Sequence, residues 1–213
     1  MKIAIAGAHG QVAMHLHPIL SKRGHSVKGI IRNPKQSDDL KEAGAEPVFA
    51  DLEEDGVNEL SEAIGTADAV VFAAGAGPGS GKERKWTVDR DGAIKLMEAA
   101  KKNGIDNYVM ISAMGLDEPR GNEVFQVYQK AKAEADEALR KSGLEYTIIK
   151  PGRLTNDAGT GRIEAGDLDG GEIPREDVAR VIAYVLEHPE TGGLEFDILS
   201  GDRPIEDAID KLV

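Results

Sequence analysis

Tyr128, Lys132 and Ser112 are the residues of this sequence whose types and spacing could do chemistry together. Tyr128 and Lys132 stand four positions apart, so a helix carries both on one face, pointing the same way. A phenol with an ordinary pKa of about 10 is a poor acid at neutral pH, and a neighbouring ammonium stabilises the phenolate and lowers it. Ser112, closing an apolar run, would then hold a carbonyl oxygen while Tyr128 gives up its proton. The set reads as a proton donor, a lysine that tunes it and a hydroxyl that orients an acceptor.

A second set is made of backbone rather than side chains. Ile3-Ala4-Ile5-Ala6 reads as a short buried strand, and Gly7-Ala8-His9-Gly10-Gln11-Val12-Ala13 turns from it straight into a helix. Gly7 suits a tight turn, Gly10 removes a side chain that would block a pyrophosphate, and Ala13 lets helix and strand lie close. The free N–H groups of the helix start then face phosphates. The pattern is G-x-x-G-x-x-A, and its alternative reading is a plain strand-to-helix turn. Position 32 bears on which dinucleotide fits. A carboxylate closing the second strand would hold the ribose 2′-hydroxyl of NAD, whereas this chain has Ile31-Arg32-Asn33, and an arginine there suits the extra phosphate of NADP. Asp51, with Leu52 after it, ends the third strand, where its carboxylate either accepts from the adenine amine or caps the next turn.

The elements that must position these sets alternate along the chain. Helical spacing of Val12, Leu16, Ile19 and Leu20 is stopped by Arg23-Gly24, strands are expected at 26–31, 46–50, 68–73, 107–112 and 144–150, and helices at 57–64, 83–102 and 123–141. A short helix closes over 40–44 and a glycine-rich loop covers 75–81. Asp68 to Ala73 is apolar without alternation, as strands buried on both faces of a parallel sheet are. The stretch 152–171 is rich in glycine and acids and reads as loop, followed by a helix at 175–187, a strand at 194–199 and a short terminal helix. This alternation predicts an α/β fold: a three-layer, doubly wound parallel sheet of Rossmann type, with the ligand crevice beyond the strand C-termini. The 213 residues carry no internal repeat and no break in composition, so one domain is expected, with a small substrate pocket formed largely by 152–213.

Composition excludes several classes. There is no cysteine, so disulfides, thiolate chemistry and cysteine metal sites are out. A net charge of −12 argues against nucleic acid or an anionic membrane as partner. The N-terminus enters a strand with no charged-then-apolar leader and the apolar runs are strand-sized, so the expectation is a cytoplasmic protein, monomer or homodimer, acting on a small molecule. No metal is expected: His9 belongs to the glycine turn, and His15 and His17 point apart on a helix. Glu53-Glu54-Asp55 reads as solvated loop charge, and Trp86, Tyr184 and Phe196 as packing.

With both sets in view the chain resembles the atypical short-chain dehydrogenase/reductase family, in particular the small NAD(P)H-binding proteins related to NmrA and to biliverdin and flavin reductases. Beyond the glycine turn, the resemblance rests on Ile31-Arg32-Asn33-Pro34, Phe72-Ala73-Ala74-Gly75, Val88-Asp89-Arg90-Asp91-Gly92 and Ile111-Ser112-Ala113. It rests further on Tyr128 with Lys132 and on Ile148-Ile149-Lys150-Pro151-Gly152-Arg153-Leu154-Thr155. The resemblance implies that Ala73, Ala74 and Gly75 lie beside the adenosine ribose and pyrophosphate, that Lys132 binds the nicotinamide ribose, and that Pro151 and Gly152 line the nicotinamide pocket. The chain departs from the better-studied dehydrogenases in its loop Gly75–Gly81, which lacks their asparagine-rich pattern, and at Ala113 and Met114, which replace a second hydroxyl. The reading is an NADP(H)-binding oxidoreductase passing hydride to a small carbonyl, quinone or flavin-like acceptor. The alternatives are a non-catalytic NADP(H) sensor that binds a protein partner, and an epimerase or dehydratase-like protein. Against the usual sugar-nucleotide epimerase stands the length after the sixth strand, about sixty residues where such enzymes carry a larger substrate lobe.

Overall fold

The computed structural model describes residues 1–77 and 79–213, so Pro78, which the sequence places in the glycine loop 75–81, lies outside the described residues. Six parallel strands form the frame: β1 (Lys2–Ala6), β2 (Ser26–Ile31), β3 (Glu46–Phe49), β4 (Ala69–Phe72), β5 (Asn107–Ile111) and β6 (Glu145–Pro151). Their lateral order is β3-β2-β1-β4-β5-β6, so the chain reverses its direction of winding between β1 and β4. Helices that leave β1 and β4 go to opposite faces there, and a crevice opens above the strand ends.

Alternation within the strands builds two cores. Ile3 and Ile5 of β1 face one side, packing with Leu16 and Leu20 of α1 (Gln11–Lys22) and with Val178 and Ile182 of α7 (Arg175–Glu187). Ala4 and Ala6 face the other, toward Leu60 of α3 (Val57–Ile64), Leu96 of α5 (Ala93–Lys102) and Leu139 of α6 (Glu123–Arg140). A strand whose residues are apolar at every position is what a sheet covered on both faces requires; all four residues of β4 are buried. The expected three-layer Rossmann-type sheet is what is found. A short α2 (Ser37–Glu42) links β2 to β3.

Two expectations fail. The single helix read at 83–102 is instead a turn of α4 (Lys82–Arg84), a π-helical stretch Lys85–Gly92, and α5. Helical periodicity in sequence does not tell the wider π spacing from the α spacing, and here the π turns direct both Lys85 and Asp89 inward, against α6. The stretch 152–171, read as loop, contains β7 (Arg153–Thr155) and β8 (Arg162–Gly166), with β9 (Glu172–Pro174) just beyond it. β8 pairs antiparallel with β10 (Glu195–Ser200), which runs parallel to β6, and with β11 (Arg203–Pro204), so the nine-stranded sheet is mostly rather than wholly parallel. β7 and β9 form a separate two-stranded ribbon. Ile163 and Ile173 are the apolar anchors of these strands, each fully buried, but isolated among glycines and acids they give no strand pattern. The short α8 (Ile205–Ile209) ends the chain's regular structure.

Candidate functional site

Between β1, β2 and β4 lies a cleft of about 260 Å³ walled by Gly7, Ala8, His9 and Gly10 on one side and Ala73, Ala74 and Gly75 on the other. Gly7 has φ of 77°, and a Cβ there would stand 2.5 Å from the Cα of Ala74, so only glycine fits the turn. Gly10 has φ of −68°, which any residue can adopt, and it is the N-cap of α1 without a side-chain cap. The first turn of that helix follows Gly10, which lines the cleft, and has no side-chain cap; such a helix start is where anions bind. The turn is braced from below: the fully buried His17 ring donates from Nε2 to the Ala8 carbonyl at 2.7 Å. Burial pushes the His17 pKa down, which favours the neutral ring this bond uses. Sequence reading set His17 aside; its burial on the inner face of α1 is the signal it left unused.

The far end of the cleft holds charge. Arg32, at the end of β2, points Nη1 at Glu53 (3.0 Å) and lies 3.9 Å from Asp51. Arg84 of α4 reaches the same carboxylate through Nη2 at 2.7 Å, and Thr87 donates to it at 2.7 Å. Glu53, read as solvated loop charge, is instead 17% exposed at its side chain and saturated with donors. The bond from Arg84, helped by Thr87 and Arg32, holds its pKa below the usual carboxylate range against the opposing cost of burial. Asp51 lines the cleft and also accepts from the Glu53 N–H at 2.9 Å, so it both caps its turn and faces the ligand space. Leu52 lines the cleft as well. Glu53 and Arg84 were missed; the basic cluster Lys82–Lys85 directly after the glycine loop was the available hint.

The reactive set lies deeper, on α6. Tyr128, Lys132, Asp136 and Arg140 repeat every four residues and so form one stripe along the helix. Lys132 is 3% exposed and donates from Nζ to the carbonyl of Ile111 at 2.8 Å. Burial pushes its pKa down, while Asp89 and Asp136 pull it back up. Asp89 is fully buried, accepts from the Ala76 N–H at 3.2 Å and has an unpartnered Oδ1. Burial raises its pKa, with Lys132 the first of several cations opposing the shift. Asp136, 1% exposed, accepts the Ser112 hydroxyl at 2.8 Å and also leaves Oδ1 unpartnered; burial lifts its pKa to about 6. Beyond it, Arg140 and Lys150 converge on Glu195, which their contacts hold at a pKa of about 2.

Three expected relations change in the structure. Tyr128 is not tuned downward by Lys132: burial raises its pKa, and Asp89 and Asp136 add to the rise. The Lys85 ammonium lies over its ring, 5.4 Å from the centroid, and no hydrogen bond joins Tyr128 to Lys132 or Ser112 among the described residues. Ser112 spends its hydroxyl hydrogen on Asp136, a helix turn below Lys132. Pro151 and Gly152, expected to line a nicotinamide pocket, are not among the walls of this cleft. A Cβ on Gly152 would meet Leu199 at 2.4 Å and the Gly171 carbonyl at 2.5 Å, so packing between β6 and the ribbon demands glycine there. Gln11, Val12 and Asn33 also stay out of the cleft, Asn33 by capping the turn at Lys35. The π-helical stretch joins the two halves, since Val88 lines the cleft while Asp89 faces Gly75 and Lys132.

The profile of the NAD(P)H-binding family matches residues 7–189, from the glycine turn to the end of α7. The chain belongs to that family. This fits the resemblance to atypical short-chain dehydrogenase/reductases. A Bacillus subtilis protein named as an uncharacterised sugar epimerase, YhfK, is 40% identical over 215 residues, covering 100% of both chains. A solved structure from Bacillus halodurans, described as belonging with NAD-dependent epimerases/dehydratases, superposes with a TM-score of 0.93 at 38% identity over 99% of both chains. The oxidoreductase ylbE from Lactococcus lactis does so with a TM-score of 0.89 at 27% identity, over 100% of this chain and 96% of its own. The family thus joins oxidoreductases with epimerase-like proteins. No helix among the described residues is long and apolar enough to cross a membrane.

Proposed function

We propose that this protein is an NADP(H)-dependent reductase acting on a small carbonyl, quinone or flavin-like acceptor, with residues 152–213 closing the acceptor pocket. The observation that carries the reading is the cleft with a glycine turn and bare helix start at one end and two guanidiniums, Arg32 and Arg84, at the other. Its dimensions and donors fit the pyrophosphate and the 2′-phosphorylated ribose of NADP(H). The bound nicotinamide supplies a hydride. On the protein side, Lys132 stands beside the end of β5 to hold the nicotinamide ribose, Ser112 orients the acceptor by turning its hydroxyl hydrogen from Asp136 to the acceptor oxygen, and Tyr128 donates the proton.

The raised pKa of Tyr128 gives this assignment a sharp consequence. Its hydroxyl stays protonated throughout the neutral range, yet it can protonate only an oxyanion more basic than its own phenolate. The alkoxide formed from an aldehyde or ketone meets that condition; the anion of a reduced quinone or flavin does not, and leaves as the anion or is protonated by a stronger acid such as hydronium or buffer. Tyr128→Phe should therefore cut aldehyde or ketone reduction by roughly a hundred- to ten-thousand-fold and leave quinone or flavin reduction within about twofold. The check is NADPH oxidation by parent and variant with one acceptor of each class. Unchanged carbonyl reduction would remove Tyr128 from the mechanism. The absence of NADPH oxidation above background with every class would remove the reductase reading. The names of the Bacillus subtilis and Bacillus halodurans relatives favour a second reading, an epimerase-like protein that retains its cofactor. It predicts no net NADPH consumption.

A further inference from the structure

Glu53 occupies an unusual position for an acid in a site that takes an anion. Its backbone is pinned: the Asp51 N–H donates to Asp55 at 2.7 Å, and Lys95 donates to the carbonyls of Glu53 (3.1 Å) and Asp55 (2.7 Å). Its carboxylate is also fully used. Oε2 accepts from Arg32 at 3.0 Å and from Arg84 Nη2 at 2.7 Å, while Oε1 accepts from Thr87 at 2.7 Å and Arg84 Nε at 3.2 Å. A carboxylate offers about four lone-pair directions, so Glu53 has none left for a ribose 2′-hydroxyl. It therefore cannot act as the acid that selects NAD. The arginines are in the opposite condition. Arg32 is 52% exposed at its side chain and Arg84 38%, each comes from a different element, and each has donors left beyond those facing Glu53.

We propose that Arg84 is a second 2′-phosphate ligand beside Arg32, and that Glu53 is the resident anion holding both guanidiniums at the cleft mouth, against which the phosphate must compete. This rests on the NADP(H) reading above. Glu53 aligns the arginines while no phosphate is present. A phosphate then shares their donors, and its own charge is opposed by the neighbouring carboxylate. The cofactor preference of the protein is accordingly a balance: two cations favour the phosphate, Glu53 on both guanidiniums moderates it, and Asp51, 3.9 Å from Arg32, adds a weaker opposing charge.

Calorimetry with NADPH and NADH, and with adenosine 2′,5′-bisphosphate against 5′-AMP, tests this on the intact chain. Arg84→Ala should weaken NADPH and the bisphosphate about tenfold to a hundredfold and leave NADH and 5′-AMP within about twofold. Glu53→Gln keeps the side chain's size, removes the charge and should tighten NADPH by about five- to tenfold with NADH unchanged. Equal loss for both cofactors in Arg84→Ala, or none for either, would overturn the role of Arg84 and leave it a fastener of the glycine loop. Weaker NADPH binding in Glu53→Gln would overturn the competition and make Glu53 a positioning residue. If the unchanged protein fails to prefer NADPH, the cofactor reading itself falls. If only Arg32→Ala removes the preference, that reading stands and this inference does not.

Discussion

The two halves of the site are built from opposite materials. The cleft half is walled largely by backbone: glycines and alanines at 7–10 and 73–75, with two exposed arginines and the carboxylates of Asp51 and Glu53 at its far end. The reactive half is a row of charges, the buried Asp89, Lys132 and Asp136 and the half-buried Lys150–Glu195 pair, brought in from the π-helical stretch, α6, β6 and β10. A backbone cradle costs the fold little, because its polar groups remain open to water or ligand. The buried row costs more. Burial shifts Asp89 and Asp136 upward and Lys132 downward, and two carboxylate oxygens have no partner. Binding and reaction should therefore respond to different substitutions.

The largest expected effect falls on the cleft. Gly10→Val needs no unusual backbone angle, since φ is −68°, but it sets a branched side chain beside the Gly7 carbonyl, 3.0 Å from the new Cβ, where the pyrophosphate must approach. NADPH affinity by calorimetry should fall more than a hundredfold, while circular dichroism and the melting temperature stay close to the parent's. Normal binding by this variant would make the turn purely structural and erase the contrast between the halves.

A smaller effect, of opposite character, falls on the buried row. Asp136 has a folded pKa raised to about 6, above its unfolded value of about 4. Its contribution to stability is thus fully present below pH 4 and is lost as pH rises through 6. Asp136→Asn removes that titration, so the variant should gain stability over the parent between pH 4 and pH 8, by up to about 3 kcal/mol. At about 2–4 °C per kcal/mol for a chain of this length, melting curves at the two pH values resolve the change. A difference between parent and variant that is the same at pH 4 and pH 8 would show that the carboxylate pays no burial cost.

The halves also differed in how far they could be read from sequence. Gly7, Gly10 and Arg32 were legible because local order fixes their places: a strand, then a turn, then a helix, with the next strand's end beside it. Ser112, Tyr128 and Lys132 were legible as types on elements, but not in their partners. Asp136 lies four residues after Lys132 on an acid-rich helix; that spacing puts it on the same stripe, but its bond to Ser112 and its burial, unlike the exposed Glu134 and Glu137, follow from packing against the end of β5. Asp89 was hidden by the π spacing, and Glu53 by two acidic neighbours that remain in solvent contact. The ribbon of β7 and β9 and strand β8 were hidden because single apolar residues, Ile163 and Ile173, anchor them. Long-range packing decides all of these, and no local pattern encodes it.

The central claim is that a cradle made for a dinucleotide ends in a positive site made for its extra phosphate. Paired isotherms of NADPH and NADH on the unchanged protein and on Arg32→Ala test it most directly. The account predicts about tenfold to hundredfold tighter binding of NADPH by the parent, in line with one to three kcal/mol for charge-assisted bonds, and loss of most of that difference in Arg32→Ala, the remainder being carried by Arg84. Equal affinities for the two cofactors in the parent would contradict it.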